Sequence, residues 1–207
     1  MSHQQPCSES AYESVAFTVE ALAARAGDAE LTRLSDRLRG VLADWENLDA
    51  SRRALRRAVI QSRAHVHVAD ATLDAAIAAF ARDLVAFAGR DGALYQRFFT
   101  DAHEDIIAMG LESELPVVTL VLAQLDASQD VPTALAAHAE PLRAGLRLGN
   151  AALANRADAL AELGRHMARE ESWGETSFAG LVSVRRSLER LAASRALPPS
   201  WVSAFFG

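Results

Sequence analysis

Between Leu31 and Phe80 the apolar residues recur in alternating steps of three and four. The track is Leu31, Leu34, Leu38, Val41, Trp45, Leu48, Arg52, Leu55, Val59, Ser62, Val66, Ala69, Leu73, Ala76 and Phe80. Of these 15 positions 13 are apolar and 11 are larger than alanine, whereas the other 35 positions of the window hold 13 apolar residues, 9 of them alanine. No glycine or proline follows Gly40 until Gly89. A narrow stripe held at this spacing predicts one long helix over 28–88 with a single seam, as in a coiled coil. At about 1.5 Å per residue such a helix is roughly 90 Å long. After Leu73 the track passes to Ile77, Phe80, Leu84 and Phe87. The two steps of four from Ala76 to Phe80 to Leu84 form a stutter that locally unwinds a left-handed supercoil. His65-Val66-His67-Val68 holds no turn residue, so the helix is expected to run through it.

A second pattern runs over 141–195. The same stepping gives Leu142, Leu146, Gly149, Leu153, Arg156, Leu160, Leu163, Met167, Glu170, Gly174, Ser177, Leu181, Val184, Leu188 and Leu191. Its phase survives Gly174, and Pro198-Pro199 stop it. Laid antiparallel with ends matched, the two tracks face each other where residue numbers sum to about 222. That register sets Arg52, the charged residue of the first seam, against Glu170, the acid of the second. It also sets Leu48 on Gly174, Trp45 on Ser177 and Leu73 on Gly149, large against small. Val66 against Arg156 and Ser62 against Leu160 are its mismatches. A buried polar pair such as Arg52–Glu170 fixes register at some cost in stability.

Shorter patterns fill the rest. Segment 1–27 is a polar lead-in and a helix from about Glu9 to Ala26, capped by Ser8 or Ser10, with Tyr12, Val15, Val19 and Leu22 on its apolar face. Gly27 ends it, and Asp28 caps the long helix that follows. Segment 89–140 predicts a helical head, with helices near 101–109, 113–127 and 131–139. Thr100 or Asp101 caps the first of these and Asp130 the last, with Pro132 in its first turn. Tyr95, Phe98 and Phe99 are expected in its core. The tail, 196–207, carries Trp201, Phe205 and Phe206. It either folds back on the first helix or serves as a docking peptide. The expected fold is all-α: two long antiparallel coiled-coil helices, a small helical head, and the N-terminal helix packed at the base.

Composition narrows the chemistry. All 21 basic residues are arginine. That excludes chemistry that needs a lysine of this chain, such as a phosphate-loop lysine or a Schiff base. A net charge of −6 argues against a general nucleic-acid binder. No apolar run is long enough for a membrane span, and the N-terminus has no apolar region of the signal-peptide kind. The single cysteine, Cys7, cannot form an internal disulfide, which fits a reducing cytoplasm, and is expected to be a free thiol.

Candidate sites are few. His67, Asp70 and Asp74 lie at i, i+3 and i+7 on one helix face and are the weak candidates for a metal site; solvated residues beside the seam are the plainer reading. Glu162, His166 and Glu170 also share a face. His65 and His67 point to different faces. His103 reads as a helix-start residue, and His138 has no visible partner. Arg52, Arg53, Arg56, Arg57 and Arg63 form a basic cluster that either holds phosphate or RNA, or pairs with Glu162, Glu170, Glu171 and Glu175. No Ser–His–acid set, glycine-rich phosphate loop or cofactor motif can be placed.

The functional expectation is therefore a non-enzymatic cytoplasmic scaffold or adaptor without cofactor. It would work through helical protein contacts with an unknown partner and with itself as a homodimer. Leu42, Ile60, Val68 and Ile77 lie off the first seam and suggest that self-association. The alternatives are a small-ligand- or metal-dependent helical enzyme and nucleic-acid binding through 52–63. Arg53, Arg56, Arg57, Arg63, Trp201, Phe205 and Phe206 are the candidate interaction residues.

Overall fold

The computed structural model describes residues 8–25, 27–128 and 130–207, and Cys7 lies outside them. Among the described residues all regular structure is helical: α1 (Ser8–Ala23), α2 (Ala29–Ala88), α3 (Ala93–Phe98), α4 (His103–Ile107), α5 (Leu111–Ala127), α6 (Thr133–Ala136), α7 (Ala139–Ser194) and α8 (Pro199–Ser203). The two long helices, α2 and α7, pack against each other. The chain divides into two compact units. One comprises the residues up to Arg56 together with Glu162–Gly207; the other is Arg57–Ala161.

In the first unit α1, the start of α2, the end of α7 and the tail enclose one core. Asp28 caps α2: its Oδ1 accepts from the backbone N–H of Glu30 at 3.0 Å and of Leu31 at 3.4 Å. Gly27 precedes it with φ of +102°, left-handed backbone that glycine tolerates. Val15, Val19 and Leu22 of α1 pack with Leu31, Leu38, Val184, Leu188 and Leu191. The tail folds back into this cluster. Phe205 is 2 % exposed, and Trp201 and Phe206 pack partly buried beside it. The docking-peptide alternative is corrected accordingly, since Phe205 is committed to the chain's own core. The sequence pattern missed the short α8 because two prolines precede its only apolar turn. Ser35 Oγ donates to the Val19 carbonyl at 3.3 Å, tying α2 to α1.

In the second unit the remainder of α2 and of α7 pack with α3–α6. Phe80 sits at the centre, with the rings of Phe98, Phe99 and His138 within 5.3 to 5.8 Å of its own. Tyr95, Phe98 and Phe99 are buried there, as is Ile77, which the sequence set aside for a partner. Phe87, expected on the seam, is instead exposed. The cap expected from Thr100 or Asp101 is absent. Ala102 is the N-cap of α4, and Asp130, the expected cap of the last short helix, pairs with Arg97 at 3.3 Å.

Every α2 seam position from Leu31 to Phe80 is buried or half-buried. On α7 alternate rungs differ from expectation by one residue. Gly145, Ala152, His166 and Trp173 are buried, while Leu146 and Leu153 are only half-buried and Leu160 and Met167 are exposed. At Gly145 and Ala152 small residues let the helix backbones approach, so their larger neighbours are displaced to the flanks; at His166 and Trp173 a large side chain turns inward instead. The large-on-small pairs change with this. Leu73 presses on Gly145, not Gly149; Gly149 lies against Leu111 and Leu115; Trp45 stacks on Trp173, with ring centroids 4.6 Å apart. A Cβ at Gly174 would meet nothing within 4 Å, so Leu48 does not fill it. Arg156 pairs with Glu112, and Ser62 satisfies its hydroxyl on the Val59 carbonyl.

Candidate functional site

The first unit holds a buried polar network. Arg52 Nε donates to Glu170 Oε1 at 2.7 Å. His166 Nε2 lies 2.9 Å from that same oxygen, and its ring is buried, with Nδ1 unpartnered. The Arg52 guanidinium sits 5.3 Å from the Trp45 ring centre, and Trp173 Nε1 donates to the Val41 carbonyl at 2.7 Å. The hydrogen bond to Glu170 raises the Arg52 pKa further above its ordinary value. The arrangement joins α2 to α7 through charge-assisted bonds. Glu162, expected to share this face, turns instead to Arg165 and Arg169.

The second unit holds a different cluster. Asp70 and Asp74 are one turn apart on α2 and half-buried. Glu114 of α5 reaches toward them at 0 % exposure. One carboxylate oxygen from each lies within 4.8 Å of the others. Neither oxygen of Glu114 has a hydrogen-bond partner of good geometry, nor does Oδ1 of Asp70 or of Asp74. Burial pushes the Glu114 carboxyl up to about 8, and the neighbouring Asp74 and Asp70 charges add to it. Burial, then Asp70, raises Asp74 as well. Among the described residues no arginine or histidine forms an ion pair with the trio.

His67, the third member of the sequence-based metal candidate, is exposed and outside the cluster. Its place is taken by Glu114, which the sequence reading missed. The signal was present. Glu114 stands between Leu111, Leu115 and Val118 on the apolar stripe of α5, where an acid is out of place.

The remaining candidates separate. Arg53 and Arg56 in the first unit, and Arg57 and Arg63 in the second, are exposed, and no acid lies within 4.0 Å of them among the described residues. The expected pairing of this cluster with Glu171 and Glu175 is therefore not seen; Arg52 alone finds an acid across the interface. His65 is exposed. His103 lies 3.2 Å from the Tyr95 hydroxyl, and His138, for which no partner was expected, lies 2.9 Å from Asp83. No protein family, curated protein or solved structure matches the chain.

Proposed function

We propose that the protein is a non-enzymatic scaffold whose first partner is a second copy of itself, docked along α7. One observation carries this reading. In the first unit, α7 presents Gly164, Met167, Glu171, Gly174 and Phe178 on one face at helical spacing. Met167 is 60 % and Phe178 62 % exposed. A Cβ added at Gly164 or Gly174 would meet nothing within 4 Å. A mid-helix glycine costs about 1 kcal/mol relative to alanine, and no packing within the chain requires these two. Large apolar side chains beside unfilled notches suit a second helix at close range.

The pattern is self-complementary. An antiparallel copy of α7 would set Met167 into the notch at Gly174 and Phe178 into the notch at Gly164, and two-fold symmetry would repeat both contacts. The same arrangement sets Glu171 beside its own copy, a repulsion that salt relieves. The single cysteine fits the reducing cytoplasm in which such a scaffold would work. Among the described residues no helix is long and apolar enough to cross a membrane.

Light scattering on the eluting protein at micromolar concentration tests this. The chain mass is 22.2 kDa, so a dimer reads as about twice that. Met167→Glu and Phe178→Glu should each return the monomer, and Glu171→Gln should tighten the dimer. A wild-type protein that elutes as a monomer overturns the reading.

A further inference from the structure

We infer that Asp70, Asp74 and Glu114 form a binding site for one hard divalent cation, of the magnesium, manganese or calcium kind. The inference is independent of the scaffold reading. Three carboxylates converge within 4.8 Å in the second unit. By itself an acidic pair on a helix face would mean little. Glu114 changes that: it comes from another helix, is fully buried, brings one oxygen to the pair, and neither of its oxygens has a hydrogen-bond partner of good geometry. A buried carboxylate without a donor is costly, and two neighbours of the same sign increase the cost. A cation among the three oxygens removes the repulsion and supplies the missing partner at once.

The donor set selects the ion. All three ligands are carboxylate oxygens, which suit hard cations over zinc or copper. Oxygens around such an ion lie about 3 Å apart when adjacent and about 4–5 Å apart when opposite, so the observed spread needs little adjustment. Asp70 and Asp74 are half-buried, which leaves one side open for the waters that magnesium and manganese retain. Among the described residues no arginine or histidine pairs with the trio. α7 contributes Gly145, Gly149 and Ala152 to this part of the core, and Leu73, Leu111 and Leu115 press on those glycines. Arg156 of α7 is taken by Glu112, and Arg147 by Glu140. His65 and His67 on α2 are exposed.

The full-length protein, stripped of metal, is titrated with Mn²⁺ at pH 8, following heat and the free-ion paramagnetic signal. The expected result is one saturable site per chain, displaced by Mg²⁺ or Ca²⁺. Glu114→Gln keeps the shape and removes the buried charge, so it should fold at least as stably as the apo wild type. Its Mn²⁺ affinity should fall at least tenfold. Asp70→Asn and Asp74→Asn, at half-buried positions, should give the same loss. No saturable uptake by the wild type up to about 1 mM overturns the site, since such a cluster should bind more tightly than that. So does a Glu114→Gln variant whose affinity drops less than threefold, because the ion would then be bound by other surface acids.

Discussion

Arg52 and Glu170, 118 positions apart in the chain, meet in a hydrogen bond of 2.7 Å. Both side chains are mostly removed from water, and His166 shares the acceptor oxygen. Removing either partner strands the other, so Arg52→Leu or Glu170→Leu alone should cost about 1–3 kcal/mol. The double replacement should recover much of that loss, because two leucines would fill the seam without an unpaired charge. Urea denaturation of the two single variants and the double variant closes the cycle. Equal, additive losses would show that the pair is only a surface contact.

The carboxylate trio sets a pH dependence of opposite sign to ordinary acid denaturation. In the unfolded chain Glu114 titrates near its ordinary 4.5, and in the fold near 8. The folded state therefore holds more protons between those values, and stability falls as pH rises through that window. The contribution is fully present below about 4.5, declines by about 1.4 kcal/mol per pH unit, and is flat again above about 8. Calorimetric melting of metal-free protein at pH 5, 6, 7 and 8 should show a declining melting temperature. Glu114→Gln should flatten most of the slope, leaving the smaller contribution of Asp74, which burial also raises.

The α7 glycines should divide into two groups. A Cβ at Gly145 would lie 2.8 Å from Leu73 Cδ1 and 3.4 Å from the Leu73 backbone; one at Gly149 would lie 2.8 Å from Leu115 Cδ2 and 3.0 Å from Leu111 Cδ1. At Gly145 the tight contact is a single leucine methyl, so overpacking is largely offset by the helix-propensity gain of about 1 kcal/mol. Gly149 meets methyls of two leucines at once and should lose more, about 1–3 kcal/mol. Gly164→Ala and Gly174→Ala enter open space, so each should raise the stability of the monomer by about 0.5–1 kcal/mol. If the notches receive a second copy, the same two variants should also weaken the dimer. Melting and light scattering on one set of variants read both effects.

Phe205 is the anchor of the tail. Its ring meets Trp201 at 5.0 Å and packs with Val15, Val19 and Leu22 in the first unit. Phe205→Ala should cost about 3–5 kcal/mol, as expected for a buried aromatic. Truncation after Leu197 should cost at least as much. An unchanged melting temperature would show that the tail does not hold this core together.

The all-α fold was legible because helix periodicity is a strong signal, and on α2 the large residues of the 3–4 track are the ones the fold covers. On α7 the same rule weighted size and selected Leu146, Leu153, Leu160 and Met167. The helix instead turns Gly145 and Ala152 inward, where close backbone approach rewards small residues that a hydrophobic count ignores, and His166 and Trp173, whose ring nitrogens meet Glu170 and the Val41 carbonyl. Asp70 and Asp74 could be placed on one face from spacing alone. Glu114 could not be brought to them, since no local pattern says which face of α2 the stripe of α5 will meet. His138 and Asp83 found each other for the same reason: a contact across 55 positions leaves no trace in either local pattern.

Trp45, Trp173 and Trp201 are the only tryptophans, and all three fall in the first unit. The second unit carries Tyr95 and phenylalanines instead. Tryptophan emission is thus a private reporter: excited at its red edge, the protein shows the first unit alone. Backbone ellipticity at 222 nm sums helix from both. Followed together in one denaturation, the two signals separate the melting of the two halves without a label or a substitution. Coincident curves would mean that α2 and α7 transmit unfolding from end to end as single cooperative helices. Curves that part would mean that each long helix can lose one half and keep the other.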